Sequence, residues 1–164
     1  MSVRIREATP ADASRIAAVA EKAWYEAHAP IIGEEIVAEF LAKYYDTDSL
    51  REVIDRDGWI TTVAEADEEV VGFVSGGPDD DGPSLLHLNR IYIRPERWGE
   101  GIGGRLVASF EQDARALESD RISLRVMAEN ERAVRFYESA GFDRQEKIYD
   151  EMVETESYIY HKKL

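Results

Sequence analysis

Between two arginines the chain reads Arg97-Trp98-Gly99-Glu100-Gly101-Ile102-Gly103-Gly104-Arg105. Residues without side chains let backbone N–H groups crowd toward a ligand. A helix starting there would add the positive end of its dipole. The chemistry this predicts is the cradling of an anion, above all a phosphate. Gly99, Gly101 and Gly104 also fit G-x-G-x-x-G, the dinucleotide fingerprint. The context suits a nicotinamide-binding fold badly, because the loop lies mid-chain after an antiparallel run and only 60 residues follow Gly104. A P-loop is excluded, since no Gly-Lys-Ser/Thr follows. Arginines lie near the loop. Residues 90–105 carry a net charge of +2, and residues 121–135 carry +2 again, so the remainder carries −18. A polyphosphate-bearing cofactor would use both stretches. The plain alternative is surface arginines pairing with neighbouring carboxylates, and Glu100 must point to solvent if the loop holds an anion.

The elements that position this loop follow from hydrophobic periodicity. Val3 to Glu7 alternates as a half-buried strand does. Thr9 or Asp12 can cap a helix with Pro10 in its first turn. Ile16, Val19, Ala20, Ala23, Trp24 and Ala27 fall on one stripe of it, and Pro30 is expected to end it. Glu34 to Tyr45 and Ser49 to Arg56 read as shorter helices. Trp59 to Glu65 and Glu69 to Gly76 read as paired strands across Ala66-Asp67-Glu68, with residues 77–83 as a solvated loop. In Leu85 to Ile93 the pattern slips. Leu86 and Leu88 have one parity, Ile91 and Ile93 the other, as a β-bulge or burial on both faces would produce. After the glycine loop, Leu106, Val107, Phe110, Ala114 and Leu117 mark the inner face of a helix. Ile122 to Val126 is a strand, Asn130 caps a helix to Ala140, and Gly141 stops it. Phe142 to Ile148 and Val153 to Tyr160 close the chain as strands. The fold class expected is a mixed α/β domain spanning 1–164.

Composition bounds the function. The chain has 164 residues, a net charge of −14, and 44% hydrophobic residues, which suits one globular domain. Such acidity argues against nucleic acid as partner. Without cysteine there is no disulfide, thiol nucleophile or cysteine-ligated zinc, and no metal is expected. No segment approaches the length of a membrane span, and the N-terminus lacks a signal-peptide apolar run, so a cytoplasmic location is the expectation. Of the 20 basic residues 15 are Arg. Acidic excess with few lysines suits solubility in concentrated salt, a halophilic adaptation. The rival reading is an acidic cleft that attracts a cationic substrate.

Three blocks carry a resemblance. Ile91-Tyr92-Ile93-Arg94-Pro95-Glu96 is followed by Gly99-Glu100-Gly101-Ile102-Gly103, and then by Asn130-Glu131-Arg132-Ala133-Val134-Arg135-Phe136-Tyr137-Glu138-Ser139-Ala140-Gly141-Phe142. In order and spacing the chain resembles the GCN5-related N-acetyltransferase (GNAT) family, specifically so from Leu85 to Phe142. The resemblance implies a mostly antiparallel central sheet of about seven strands, splayed at Leu85–Ile93 and flanked by about four helices. It implies acetyl-CoA as cofactor. The backbone of Ile91, Tyr92 and Ile93 would meet the pantetheine arm, the loop Gly99, Glu100, Gly101, Ile102, Gly103 and Gly104 would hold the pyrophosphate, and Asn130 would contact the arm. Trp98 stands where the family usually has Arg or Gln, so either Arg97 supplies that contact or Trp98 covers the cofactor.

The same resemblance implies direct attack of an amine on the thioester. That chemistry needs a base, an oxyanion donor and an acid for the departing thiolate. Tyr137 would be the acid. The family's frequent strand Glu is replaced by His87, which can accept a proton at neutral pH. By simple alternation Asn89 shares the face of His87, and Tyr92 does not. Trp24, Tyr25 and His28, with Glu26, Glu34 and Glu35, would select a small-molecule amine, as in the polyamine branch of the family. A protein N-terminus is one alternative acceptor. A noncatalytic acyl-CoA-binding sensor is the rival from another class. A homodimer is expected by analogy, with the C-terminal strand Val153–Tyr160 as candidate edge.

Overall fold

The computed structural model describes residues 2–79 and 82–164, with the side chains of 79, 82 and 83 excepted. The first strand, β1 (Arg4–Glu7), runs into a 3-10 turn at Pro10–Asp12, and α1 follows at Ala13–Ile32. The entry is fixed by charge. The Arg6 guanidinium donates to both Asp12 carboxylate oxygens at 2.9 Å and to Glu65 at 2.9 Å. Asp12 also accepts from the Thr9 amide, which closes a capping box. Pro30 does not end α1, contrary to expectation. Gly33 does, at φ 88°, directly after the last helical residue, Ile32. Pro30 lies inside α1, where it removes one intrahelical donor, and the helix still runs on to Ile32. Then come α2 (Glu34–Tyr44) and α3 (Thr47–Asp55), the latter capped by Asp46 accepting from the Ser49 amide.

The sheet continues with β2 (Ile60–Ala66), β3 (Glu69–Asp79) and β4 (Gly82–Ile93). Asp67 and Glu68 turn the first hairpin with φ of 52° and 67°, the mirror-image turn that matches strand twist. The expected solvated loop at 77–83 is largely strand: β3 and β4 extend through it, and Asp80-Asp81 lies outside the described residues. After β4 come a 3-10 turn at Pro95–Arg97, α4 (Ile102–Ala116), β5 (Arg121–Met127), α5 (Glu131–Ser139), β6 (Asp143–Asp150) and β7 (Thr155–Lys163). The strand order is β1-β2-β3-β4-β5-β7-β6, giving seven strands and five α-helices among the described residues. All neighbours are antiparallel except β4 and β5. The C-terminal strand is therefore not an edge. β7 lies between β5 and β6, and the free edges belong to β1 and β6, because β6 turns back on the outer side.

The slipped pattern in β4 is a bulge. Ser75 pairs with Arg90 while Gly76 pairs with Leu88, so Asn89 is the extra residue. Glycine is required opposite it: a Cβ at 76 would collide with the His87 carbonyl and lie 2.7 Å from the Phe110 ring. The bulge keeps Leu86, Leu88, Ile91 and Ile93 on one face, where they join Leu106, Val107 and Phe110 of α4. His87, Arg90 and Tyr92 consequently share the opposite face, which packs against α1–α3. Two expectations from simple alternation are corrected here. Tyr92 lies on the face of His87, and Asn89 is the exposed bulged residue. Leu117, expected inside, is 39% exposed because α4 ends one residue earlier.

The parallel pairing of β4 with β5 spans only Leu85–His87 against Arg121–Ser123. Past that point the two strands diverge, and the sheet opens as expected.

Candidate active site

The opening between β4 and β5 forms a cleft of about 1270 Å³. One side is built from backbone. The Arg94 amide donates to the Val71 carbonyl of β3, and amides alternate along a strand. The amide groups of Ile91 and Ile93 therefore turn away from β3, into the opening. The Ile93 carbonyl is taken by Trp98, whose Nε1 donates to it at 2.9 Å. Trp98 is in turn covered by the Arg132 guanidinium, 4.2 Å from the ring. It therefore braces the loop to the end of β4.

The glycine loop lies beside this strand end. Gly99 and Gly101 have φ of 84° and 82°, a region L side chains rarely adopt, and Gly101 is the residue that starts α4. A Cβ at Gly99, Gly101 or Gly104 would meet nothing within 4 Å, so open space lies above the loop. Backbone donors, a helix N-terminus and that space fit a diphosphate-bearing group. Arg97 lines the cleft but is held by Glu100 at 2.8 Å, and Glu100 itself is outside the lining. Asn130 starts α5, its side-chain oxygen accepting from the Ala133 amide at 3.2 Å, and the residue lines the cleft.

Tyr137 of α5 enters from the α4 face and is 8% exposed. Burial, with Tyr45 nearby, pushes its phenol well above the ordinary value, so it stays protonated at neutral pH. The splay lets it interact with Tyr92 from the opposite face.

The other side of the cleft is built from side chains. Trp24 stacks on Phe40 at 4.4 Å and meets His28 edge-on at 4.4 Å, with Tyr92 and Tyr45 at 5.7 and 5.9 Å. His28 Nε2 lies 3.3 Å from the Tyr92 hydroxyl. Burial pushes His28 down to about 4, so it is neutral. Across the opening, Asp150 is paired with Arg125 at 3.3 Å.

Of the residues expected from sequence, the cleft brings together Trp24, His28, His87, Asn89, Ile91, Tyr92, Ile93, Arg97, Trp98, Gly99, Gly101, Ile102, Gly103, Gly104, Asn130 and Tyr137. Tyr25 lies instead by a shallow depression with Ser14, Ala38 and Leu41, because it sits one helical step from Trp24. Glu26, Glu34 and Glu35 are exposed and outside the lining. The carboxylate that does line the cleft is Asp150, against Arg56, Arg90, Arg97, Arg125, Arg132 and Arg135. Sequence reasoning missed Tyr45, Arg56, Arg90, Arg125 and Asp150 as lining residues. The shared parity of Arg90 and Tyr92 was a signal that could have found Arg90.

The sequence model of the acetyltransferase (GNAT) family matches residues 22–142. A probable N-acetyltransferase of Mycobacterium tuberculosis is 27% identical over 145 residues, 86% of this chain and 80% of that protein. An uncharacterized N-acetyltransferase of Lactobacillus delbrueckii is 27% identical over 147 residues, 87% of this chain and 85% of that one. The crystal structure of PaiA N-acetyltransferase from Thermoplasma acidophilum, in complex with coenzyme A, superposes with a TM-score of 0.89 at 24% identity, covering 100% of both chains.

Proposed function

The chain belongs to the acetyltransferase (GNAT) family, and on that premise we propose that it moves an acetyl group from acetyl-CoA to a primary amine by direct attack on the thioester. One observation carries the reading. The glycine loop at the start of α4, the amides of Ile91 and Ile93 that turn away from β3, and the protonated Tyr137 all belong to one cleft. When bound, acetyl-CoA supplies an activated acyl thioester.

The roles of the residues follow from position. Backbone N–H groups of the loop hold the diphosphate, and the N–H groups of Ile91 and Ile93 and the Asn130 amide align the arm. The amine nitrogen forms the new bond to the acyl carbon as the carbon–sulfur bond breaks. His87 takes the proton that the amine gives up, directly or through water. A strand N–H of Ile91 or Ile93 donates to the oxygen on which charge develops. Tyr137 Oη hands its proton to the departing sulfur. His87 supports its role by lining the cleft on the face of Tyr92, opposite Ser123 of β5.

The acidic surplus lies mostly outside the cleft lining, which supports salt tolerance over attraction of a cation. Among the described residues no helix is long and apolar enough to cross a membrane, in keeping with the cytoplasmic setting we propose.

Calorimetry with coenzyme A and with NAD, followed by thiol release from acetyl-CoA over a panel of amines, tests this function. We expect coenzyme A to bind and NAD not to. Absence of coenzyme A binding would sink the reading. Binding without thiol release for any amine would leave the noncatalytic sensor.

A further inference from the structure

Arg90 is unlike the other arginines of the cleft. Arg97 has Glu100, Arg125 has Asp150, Arg132 lies on Trp98, the exposed Arg56 lies over Trp59, and Arg135 is exposed. Arg90 is half-buried in the aromatic side of the cleft. It donates to the Tyr44 carbonyl at 3.1 Å and lies 4.9 Å from the centre of the Tyr45 ring. Among the described residues it meets no carboxylate. A guanidinium has five N–H donors, so these two contacts leave most of its hydrogen-bonding capacity open.

Two further groups in the same aromatic cup lack partners. Trp24 Nε1 and His28 Nδ1 make no hydrogen bond, and the two side chains are only 3% and 5% exposed. The indole N–H can only donate, and a buried donor without an acceptor costs free energy. The Trp24 indole and the Arg90 guanidinium both approach the Tyr45 hydroxyl, although the indole does not close a hydrogen bond to it. A half-buried cation with open donors and the aromatic wall beside it form a receptor for an anion flanked by apolar surface. They would repel an extended polycation.

We propose that the acceptor is an amine that also carries a carboxylate, as an apolar amino acid does. Arg90 binds that carboxylate, and the rings of Phe40, Tyr45 and Tyr92 enclose the apolar part. The inference rests on the acetyltransferase reading above and names its substrate class.

The test uses matched pairs: phenylalanine with phenethylamine, methionine with 3-(methylthio)propylamine, and spermidine as the polycation. Thiol release from acetyl-CoA and calorimetric binding to the coenzyme A complex are both measured. The carboxylate-bearing member of at least one pair should win by roughly tenfold or more in kcat/KM, the range for a hydrogen-bonded charge. Arg90→Gln should bring that ratio near one through KM, with coenzyme A affinity unchanged, and Arg90→Lys should keep part of the preference. Equal or reversed preference in every pair, a preference for spermidine, or weakened coenzyme A binding in Arg90→Gln would each overturn the proposal. Coenzyme A binding without turnover or binding of any acid would also overturn it, while leaving the cofactor reading standing. Loss of coenzyme A binding by the unmodified protein would instead strike the acetyltransferase reading itself.

Discussion

The two sides of the cleft are made of different material. The glycine loop and the end of β4 offer amides, set by backbone conformation at Gly99 and Gly101 and by the divergence of β4 from β5. The facing wall offers rings and a guanidinium from α1, α2 and β4, set by packing around Trp24. A site made of backbone depends on a few conformations and tolerates change in most side chains. A site made of side chains can be re-lined one residue at a time. The first suits a group that every member of a family binds, and the second suits a group that differs between members.

Tyr137 stands where the two sides meet, and it gives the largest expected effect. Tyr137→Phe keeps the ring and removes the proton, so kcat should fall roughly hundredfold or more while coenzyme A affinity holds. Because burial pushes the phenol up, its loss should also leave any alkaline limb below about pH 10 in place. Steady-state pH profiles of both proteins check this. An unchanged kcat would remove Tyr137 from the chemistry.

The aromatic side should also be the acid-sensitive one. His28 is held neutral at about 4, below its ordinary 6.5. The unfolded chain therefore takes up a proton first, and stability is whole above about pH 6.5, falls as pH drops toward 4, and levels below that for this group. The loss is on the order of 3 kcal/mol. Urea unfolding at pH 7.5 and 4.5 measures it, and His28→Gln should flatten the difference. Asp12, held low chiefly by Arg6, adds its own loss only below the ordinary carboxylate range.

The same contrast explains what the sequence made legible. The amide side is written contiguously: loop, helix start and α5 block each announce themselves through glycine, Asn130 and Phe136-Tyr137. The bulge at Asn89 was visible as a parity slip, though not its consequence, that Arg90 and Tyr92 turn to the face of His87. The aromatic wall joins residues from Trp24 to Tyr92 that no local spacing relates. Tyr45 and Arg90 meet only because α2 ends over β4, and Tyr25, beside Trp24 in sequence, turns to another surface.

Gly101 tests the amide side alone. At φ 82° an L side chain is strained by about 1–2 kcal/mol, and nothing else in the protein would obstruct it. Gly101→Val should weaken coenzyme A roughly tenfold by calorimetry and leave the KM ratio within each amine pair unchanged. A shift in that ratio would mean that the two sides are not independent.

The smallest effect is expected at Glu100, and it has the opposite sign. This carboxylate holds Arg97 at 2.8 Å on the rim of the loop, with 44% of its side chain exposed. In Glu100→Gln the guanidinium is released toward the loop, and one negative charge leaves the neighbourhood of the diphosphate. Exposed pairs are weak, so coenzyme A should bind only about two- to fivefold tighter at low salt. The gain should vanish near 1 M salt, where screening acts over about 3 Å. If affinity fell instead, the ion pair would be holding Arg97 in its binding position, and this one side chain would belong to an anion site otherwise made of backbone.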